Sequence, residues 1–388
     1  MFRIVDVSLK MTRDATRLAS TERHSCAFAR ASMSSTRRCD TFIEVEALCA
    51  LRWLATMAGS KYVKENKEVI RSMVIATADL VMEVMHKYNW HEEMQAEALH
   101  VLAQLRSCDV RLGKATQRRA DHLAILALNK HPLHVGVQAF GLALLSKMSV
   151  YPRYSDDLTN VGPCAAAMAA LRRHPKNTGV QTNALLVLVH LAAGVQHLNH
   201  LAQEGILLST MEVLRLYPKD SDVQSRGVLL LGYLSFHEQL IDRLVYFGAI
   251  EMVVRALQLF SNDNEIQANG LLVLLNLVSS GLHVERMVNS RVVEVSTAAV
   301  RRHPQHAAVE SCGLCLLGIL ADNLANMQQV DILIACRPSV VAVLHAHPTD
   351  TNLQASGAHL LRKLELNCNT FSTTLQASSH QFENMRVR

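Results

Sequence analysis

Two thiols stand three residues apart in Cys312-Gly313-Leu314-Cys315, with His303 and His306 a short way upstream. Such a set could hold a tetrahedral zinc ion if its members sat on converging elements. A paired thiol could also exchange disulfides if it flanked a β-α-β unit. No β-α-β pattern surrounds it, and both cysteines fall within one strongly helical stretch, so they read as ordinary helix positions. Two His-Glu pairs open a zinc-protease pattern, but the fifth residues counted from His91 and His237 are Gln95 and Ile241 rather than histidine. A column of histidines, His131, His174, His303 and His347, recurs at near-constant spacing and invites a pH-sensing reading. Tyr88, Tyr217 and Phe260 hold the same place in other copies, and those rings cannot titrate as imidazole does. The column therefore reads as a planar ring packing at a helix end, where imidazole can also bond terminal carbonyls. No phosphate-cradling glycine loop, nucleophile elbow or kinase signature occurs. The expectation is a protein that is not an enzyme, with no catalytic residues, no metal, no cofactor and no small-molecule substrate.

The elements that carry these residues come from a repeat. With one glutamine as position 0, equivalent residues are Gln95, Gln138, Gln181, Gln224, Gln267, Glu310 and Gln354, separated by 43 residues five times and then by 44. A first, truncated copy is anchored on Glu44. Self-similarity at this period marks a stacked helical array. Positions +4, +7 and +10 are almost uniformly aliphatic, as in Leu271, Leu274 and Leu277, which places them on one helical stripe. No single copy can bury that stripe, whereas a stack can. Position +3 holds Ala98, Gly141, Ala184, Gly227, Gly270, Gly313 and Gly357. Glycine inside a helix costs roughly 1 kcal/mol relative to alanine, so its recurrence predicts that another helix crosses close to this backbone. A leading helix ends seven residues before each anchor, and Pro132, Pro175, Pro218, Pro304 and Pro348 enforce the stop. In the middle units that helix is expected to open at Gly162, Gly205 and Gly248, with a shorter helix before it, giving three helices per unit.

The bulk properties agree with a leucine- and alanine-rich helical chain: 49% of its residues are hydrophobic and only 5% aromatic. The formal charge of +5 is concentrated in residues 1–40, which leaves the remainder nearly neutral and argues against a broad nucleic-acid footprint. Local basic edges remain, with Lys87, Lys130, Arg173 and Arg302 near leading-helix ends, where cations also suit the helix dipole. Nine cysteines without framework spacing suggest a reducing compartment. The uncharged run Asn177–Gln203 is in register with the repeats and is expected to be a core helix rather than a membrane span. Three regions are expected: a basic Ser/Thr/Arg-rich tail over 1–40, a solenoid over 41–365 and a flexible tail over 366–388. The tail composition shares features with a mitochondrial transit segment, but Asp6, Asp14 and Glu22 count against that. The expected location is cytoplasmic, with the nucleus as an alternative.

These residues resemble the armadillo repeat family: an aliphatic-Gln pair, a small residue at +3 and leucines at +4, +7 and +10, in seven full units. Gly205 and Gly248 resemble that family's glycine between its first and second helices, which favours armadillo over two-helix HEAT repeats. The resemblance implies an all-α, right-handed superhelix whose third helices line a concave groove for partner proteins. Members that clamp extended peptides often carry Trp at +5 and Asn at +9. Here only Asn276 matches at +9 and no tryptophan stands at +5, which departs from the pattern for import-receptor-like recognition of basic peptides.

Positions +2 and +9 lie two turns apart on one helical face and, unlike the leucine stripe, vary in chemistry. The central units combine Asn183, His190, Arg226, Tyr233, Asn269 and Asn276 there. These six are the expected partner-binding groove. The expected function is a non-catalytic protein-interaction scaffold or adaptor. The competing reading is a regulatory or substrate-recognition subunit of an enzyme complex, in ubiquitin transfer or kinase signalling, with nucleic-acid binding a distant third.

Overall fold

The structure is a computed structural model that describes residues 67–107, 113–147, 161–193, 205–278, 283–323 and 334–365. The first copy of the repeat and the two tails lie outside the described residues. Among those described, all regular structure is helical. In chain order the helices are α1 Lys67–Lys87, α2 Glu92–Ser107, α3 Lys114–Lys130, α4 Val135–Ser146, α5 Val161–Arg173 and α6 Thr178–Ala192. They continue as α7 Ile206–Leu216, α8 Ser221–Ser235, α9 Glu238–Tyr246, α10 Ala249–Leu259 and α11 Asn264–Val278. The last are α12 Val284–Asn289, α13 Val292–Arg302, α14 Ala307–Asn323, α15 Arg337–Ala346 and a helix over 351–365, α16.

Two layers run along the molecule. The anchored helices α2, α4, α6, α8, α11 and α14 pack each on the next, and the leading helices α1, α3, α5, α7, α10 and α13 do the same. Each leading helix also packs on the anchored helix of its own unit, so one hydrophobic core runs continuously between the layers. The stripe predicted at +4, +7 and +10 fills it: Leu185, Leu188, Leu231, Leu234, Leu271, Leu274 and Leu277 are fully buried. This is an α-solenoid. The third, shorter helix is described in two units, as α9 and α12, each preceding a leading helix.

The anchor glutamine has one physical task in six units. Its side-chain amide donates two hydrogen bonds to carbonyls at the end of the leading helix, ten and seven residues back. Gln181 Nε2 reaches Leu171 O at 2.9 Å and His174 O at 3.0 Å; Gln267 Nε2 reaches Leu257 O at 2.8 Å and Phe260 O at 3.1 Å. Gln95, Gln138, Gln224 and Gln354 repeat the pattern. The last carbonyls of a helix have no partner within it, and burying them unsatisfied is costly. A long primary amide on the next helix reaches the carbonyl ten back and adds a second donor to the carbonyl seven back, which also accepts from the backbone N–H at −4, and so links the two helices.

The small residue at +3 lies where the same two helices cross. A Cβ on Gly270 would stand 2.7 Å from Leu257 Cδ2 and 3.3 Å from Val253 Cγ1. One on Gly141 would stand 2.8 Å from Leu128 Cδ2, and one on Gly357 2.5 Å from Leu344 Cδ2. The crossing is therefore within a unit, between a leading helix and its own anchored helix. It is as tight at Gly357, in the last unit described, as in the middle of the stack.

The glycines expected to open the leading helix divide. Gly205 and Gly248 adopt left-handed backbone, φ 76° and 87°, and cap α7 and α10. At Gly162 the leading helix also opens, with Val161 as the first residue of α5, but Gly162 itself is not left-handed. The equivalent place before α13 is held by Arg291, also left-handed at φ 64°. An L-residue in that conformation costs roughly 1–2 kcal/mol, so the geometry is imposed by the turn between the two helices rather than by glycine itself.

Two outcomes follow for thermal unfolding. Gly270→Leu should lower stability by about 1–3 kcal/mol or more through overpacking against Leu257, and Gly357→Leu should cost a comparable amount because its clash is with its own unit. Arg291→Gly should raise stability by up to about 1 kcal/mol by relieving the left-handed strain. Unchanged midpoints in all three would contradict the crossing and capping geometry.

Candidate partner-binding groove

Each anchored helix begins with a cap that sequence reading did not single out. The residue at position −4 accepts from the backbone N–H at −1 in all seven units: His91, His134, Asn177, Asp220, Asp263, His306 and Asp350. Asn and Asp are favoured caps, and the column was visible as a mixture of Asn, Asp and His. Imidazole is the unusual member, and its Nδ1 can accept only while it carries no proton.

The histidine column at −7 forms a second ladder, this time between units. His131 Nε2 bonds Asn89 O at 2.8 Å, His174 Nε2 bonds Pro132 O at 2.8 Å and His303 Nε2 bonds Ser261 O at 2.9 Å. Tyr217 Oη donates to Pro175 O at 2.6 Å in the same register. Tyrosine can replace histidine because both present a donor at the far end of a flat ring. The column is thus structural, and its rings are largely buried by the neighbouring loop.

One unit departs from this scheme. Glu310 replaces the anchor glutamine and is fully buried. It cannot donate when ionised, and its oxygens would face the helix-end carbonyls that the other anchors cap. His347, which in this register would bond a loop carbonyl, instead brings Nε2 to 2.7 Å from Glu310 Oε2, though the contact lacks the direction of a good hydrogen bond. Burial holds the Glu310 carboxyl above the ordinary carboxylate range, against the opposing pull of His347 and, more weakly, His306. A carboxyl whose folded pKa is raised favours the fold in its protonated form. Its stabilising contribution is complete below the unfolded pKa and is lost as pH rises through the raised folded value.

The expected groove residues all lie on the face of the anchored helices turned away from the leucine stripe, and all six are half-buried. They divide into two groups. Asn183 Nδ2 donates to Ala139 O of the preceding anchored helix at 3.0 Å, and Asn276 Nδ2 donates to Ser235 Oγ at 2.9 Å. These two amides tie neighbouring anchored helices together. His190 is held by its surroundings: burial pushes its imidazole pKa down, with the Ser146 backbone pulling the other way. Arg226, Tyr233 and Asn269 stand on the adjacent helices α8 and α11, each half-buried, with Tyr233 packed partly against the core.

Between these polar rows runs an apolar floor. Position +5 lies on the same face as +2 and +9, and Leu186, Leu229 and Leu272 occupy it in consecutive units, each half-exposed. Toward the N-terminal end the floor changes, and His100 stacks flat on Phe140 with ring centroids 4.1 Å apart. This face of the central anchored helices therefore carries a row of leucines beside hydrogen-bonding groups, with Arg226 as the formal charge among these positions. Leucine at a helical spacing reads as core, so residue type alone does not mark these +5 positions as surface.

Chemistry at the paired thiols is not favoured by their surroundings. Burial, with Cys315 beside it, pushes the Cys312 thiol up to about 11, far from the thiolate that nucleophilic or redox chemistry needs. Cys315 Sγ lies 3.2 Å from Ser356 Oγ, another link between neighbouring anchored helices. Among the described residues, no three of His, Cys, Asp and Glu are grouped to share a metal ion.

The family model described as LRRK2 ARM repeat matches residues 162–271. That span contains five of the six groove residues and the glycine-capped helices α7 and α10. The chain carries armadillo-like repeats over that span. A crystal structure of an engineered protein aligns at a TM-score of 0.42 and 16% identity, covering 75% of this chain and 97% of that one. No curated protein matches. Among the described residues of this armadillo-like chain, no helix is long and apolar enough to cross a membrane.

Replacing Glu310 by Gln should restore the amide cap and make stability at neutral pH greater by about 1 kcal/mol or more. The gain should shrink as pH falls toward the unfolded glutamate pKa near about 4.3. Thermal melts of both proteins across this range provide the check, and a pH-independent difference would refute the assignment.

Proposed function

We propose that this protein is a non-catalytic interaction scaffold whose armadillo-like groove holds a segment of a partner protein across α6, α8 and α11. The observation that carries this reading is the contrast between the two faces of the anchored helices. One face repeats the same leucines and the same capping amide, as packing demands. The other changes from unit to unit and exposes leucine beside Arg226, Tyr233 and Asn269. A leucine floor removes apolar side chains of a partner from water, while the polar rows offer directional bonds that fix its register.

Arg226 and Tyr233 are the expected energetic centre of the groove, because arginine and tyrosine are enriched among residues that dominate interfaces. Asn269 supplies an amide suited to a peptide backbone. Asn183 and Asn276 preserve the floor's shape through their inter-helix bonds and contribute less direct contact. A scaffold of this kind acts in the cytoplasm or nucleus as an adaptor, or as the recognition subunit of an enzyme complex whose catalytic parts lie on another chain.

Partners should be captured with the full chain as bait and compared with the double variant Arg226→Ala, Tyr233→Ala. For a partner purified and titrated against both, the double change should weaken binding by about 2 kcal/mol or more. Unchanged affinity in a variant with an unchanged melt would place the binding surface elsewhere.

A further inference from the structure

The loops joining leading and anchored helices form an edge of the solenoid with a character of its own. The inter-unit ladder sets them side by side: His131 bonds Asn89 O at 2.8 Å, His174 bonds Pro132 O at 2.8 Å and Tyr217 bonds Pro175 O at 2.6 Å. Lys130 Nζ adds a bond to Asn89 Oδ1 at 2.7 Å. Equivalent residues of four successive loops are thereby held in a row.

At position −5, the residue just past each of these carbonyls, that row reads Trp90, Leu133, Lys176 and Lys219. Trp90 is 59% exposed and Leu133 77%, and both lysines are exposed as well. Single exposed apolar residues are ordinary, but two of the largest at equivalent tips of bonded neighbouring loops form a designed pair. Over residues 87–91, 130–134, 173–177 and 216–220 the cations are Lys87, Lys130, Arg173, Lys176 and Lys219, against a single carboxylate, Asp220, which is engaged as a helix cap. Glu92 and Glu93 follow inside the first turn of α2, where they answer the helix dipole, and Glu93 faces His134 at 3.7 Å. In the next three units position −5 is Asn262, Gln305 and Thr349, so the pattern belongs to one end of the edge.

We propose that this edge docks on an anionic lipid surface, with Trp90 and Leu133 entering the headgroup layer and Lys176 and Lys219 facing lipid phosphates and carboxylates. The arrangement fits a flat, negatively charged, partly apolar surface because the residues are projecting tips in a row rather than walls of a cleft. Tryptophan favours that boundary, where its ring is apolar and its indole N–H stays wet. Clustered lysines near such a surface add electrostatic attraction. Neither signal is enough for stable attachment alone, and their combination is what reversible peripheral binding requires. The surface is separate from the groove, since the loops lie at the ends of the anchored helices and not on their open face.

The test is co-sedimentation of the full chain with phosphatidylcholine vesicles, with and without phosphatidylserine. The protein should sediment only with the serine-containing vesicles. Lys176→Glu with Lys219→Glu, and separately Trp90→Ser with Leu133→Ser, should each reduce the bound fraction by roughly ten-fold, with circular dichroism melts unchanged because all four side chains are exposed. The chain has two tryptophans, so in a Trp53→Phe background the emission should shift to the blue on binding as Trp90 leaves water. Four results would overturn the proposal. They are no sedimentation, equal sedimentation with both vesicles, loss on charge reversal but not on Trp90→Ser with Leu133→Ser, or binding of a single-stranded oligonucleotide through these residues without vesicle binding.

Discussion

A solenoid has no global closure to hold its units in place, so the angle inside each unit has to be set locally. Here the anchor glutamine sets it. Its amide joins two carbonyls at the end of one helix, the second of which also accepts from a loop N–H, to the middle of the core beneath another. Both partners are buried, so the bonds are made away from competing water, and the loss of either would leave polar groups stranded. The small residue at +3 is the steric counterpart of the same constraint. It lets the leading helix approach until the glutamine can reach, and a leucine methyl of that helix fills the space a side chain would have taken.

Repeat propagation then rests on a different set of bonds, made between units and largely at the margins. The ring at −7 reaches one loop back, and polar groups on the anchored helices reach one helix back, as Asn183 does to Ala139. Exposed ion pairs such as Arg286 with Glu251 add to the join, the arginine holding the carboxylate against its burial. Since neighbouring units share these contacts, disturbance at one unit should be felt mainly by its immediate neighbours. Glu310 is instructive in this respect. It loses the intra-unit cap and is reached instead by His347 of the next unit, which makes a local fault into an inter-unit contact.

Much of this was legible in the sequence because a repeat states each constraint many times. The stripe, the small +3 column and the proline stops are signals of residue type, and type is what a sequence displays. The histidine column was legible as structural only because tyrosine and phenylalanine share its place; which carbonyl it bonds depends on how units stack, and no spacing within a unit encodes that. Gly162 differs from Gly205 and Gly248 although its register matches theirs: it lies in the first turn of its helix rather than before it, and Arg291 shows that the left-handed turn does not require glycine. The cap at −4 escaped notice because three of its seven members are histidine, a residue seldom counted among caps.

The candidate groove is marked less firmly in the sequence, and the reason is physical rather than a matter of missing information. Variation at +2 and +9 marks an unconstrained face, but it does not distinguish a polar group that links two helices from one that is open to a ligand. Asn183 and Asn276 resemble Asn269 in sequence, yet the first two are engaged with neighbouring units, and the difference depends on what lies one repeat away. The leucines at +5 pose the converse problem. In a lone helix they would extend the buried stripe, and only the presence of neighbouring helices on both sides leaves that face uncovered. A stack of units thus leaves partly uncovered residues that each unit, taken alone, would assign to packing. On the proposed reading, binding would be decided by the few side chains that the stack does not itself consume, and in the central units the candidates are Arg226, Tyr233 and Asn269 beside the line of Leu186, Leu229 and Leu272.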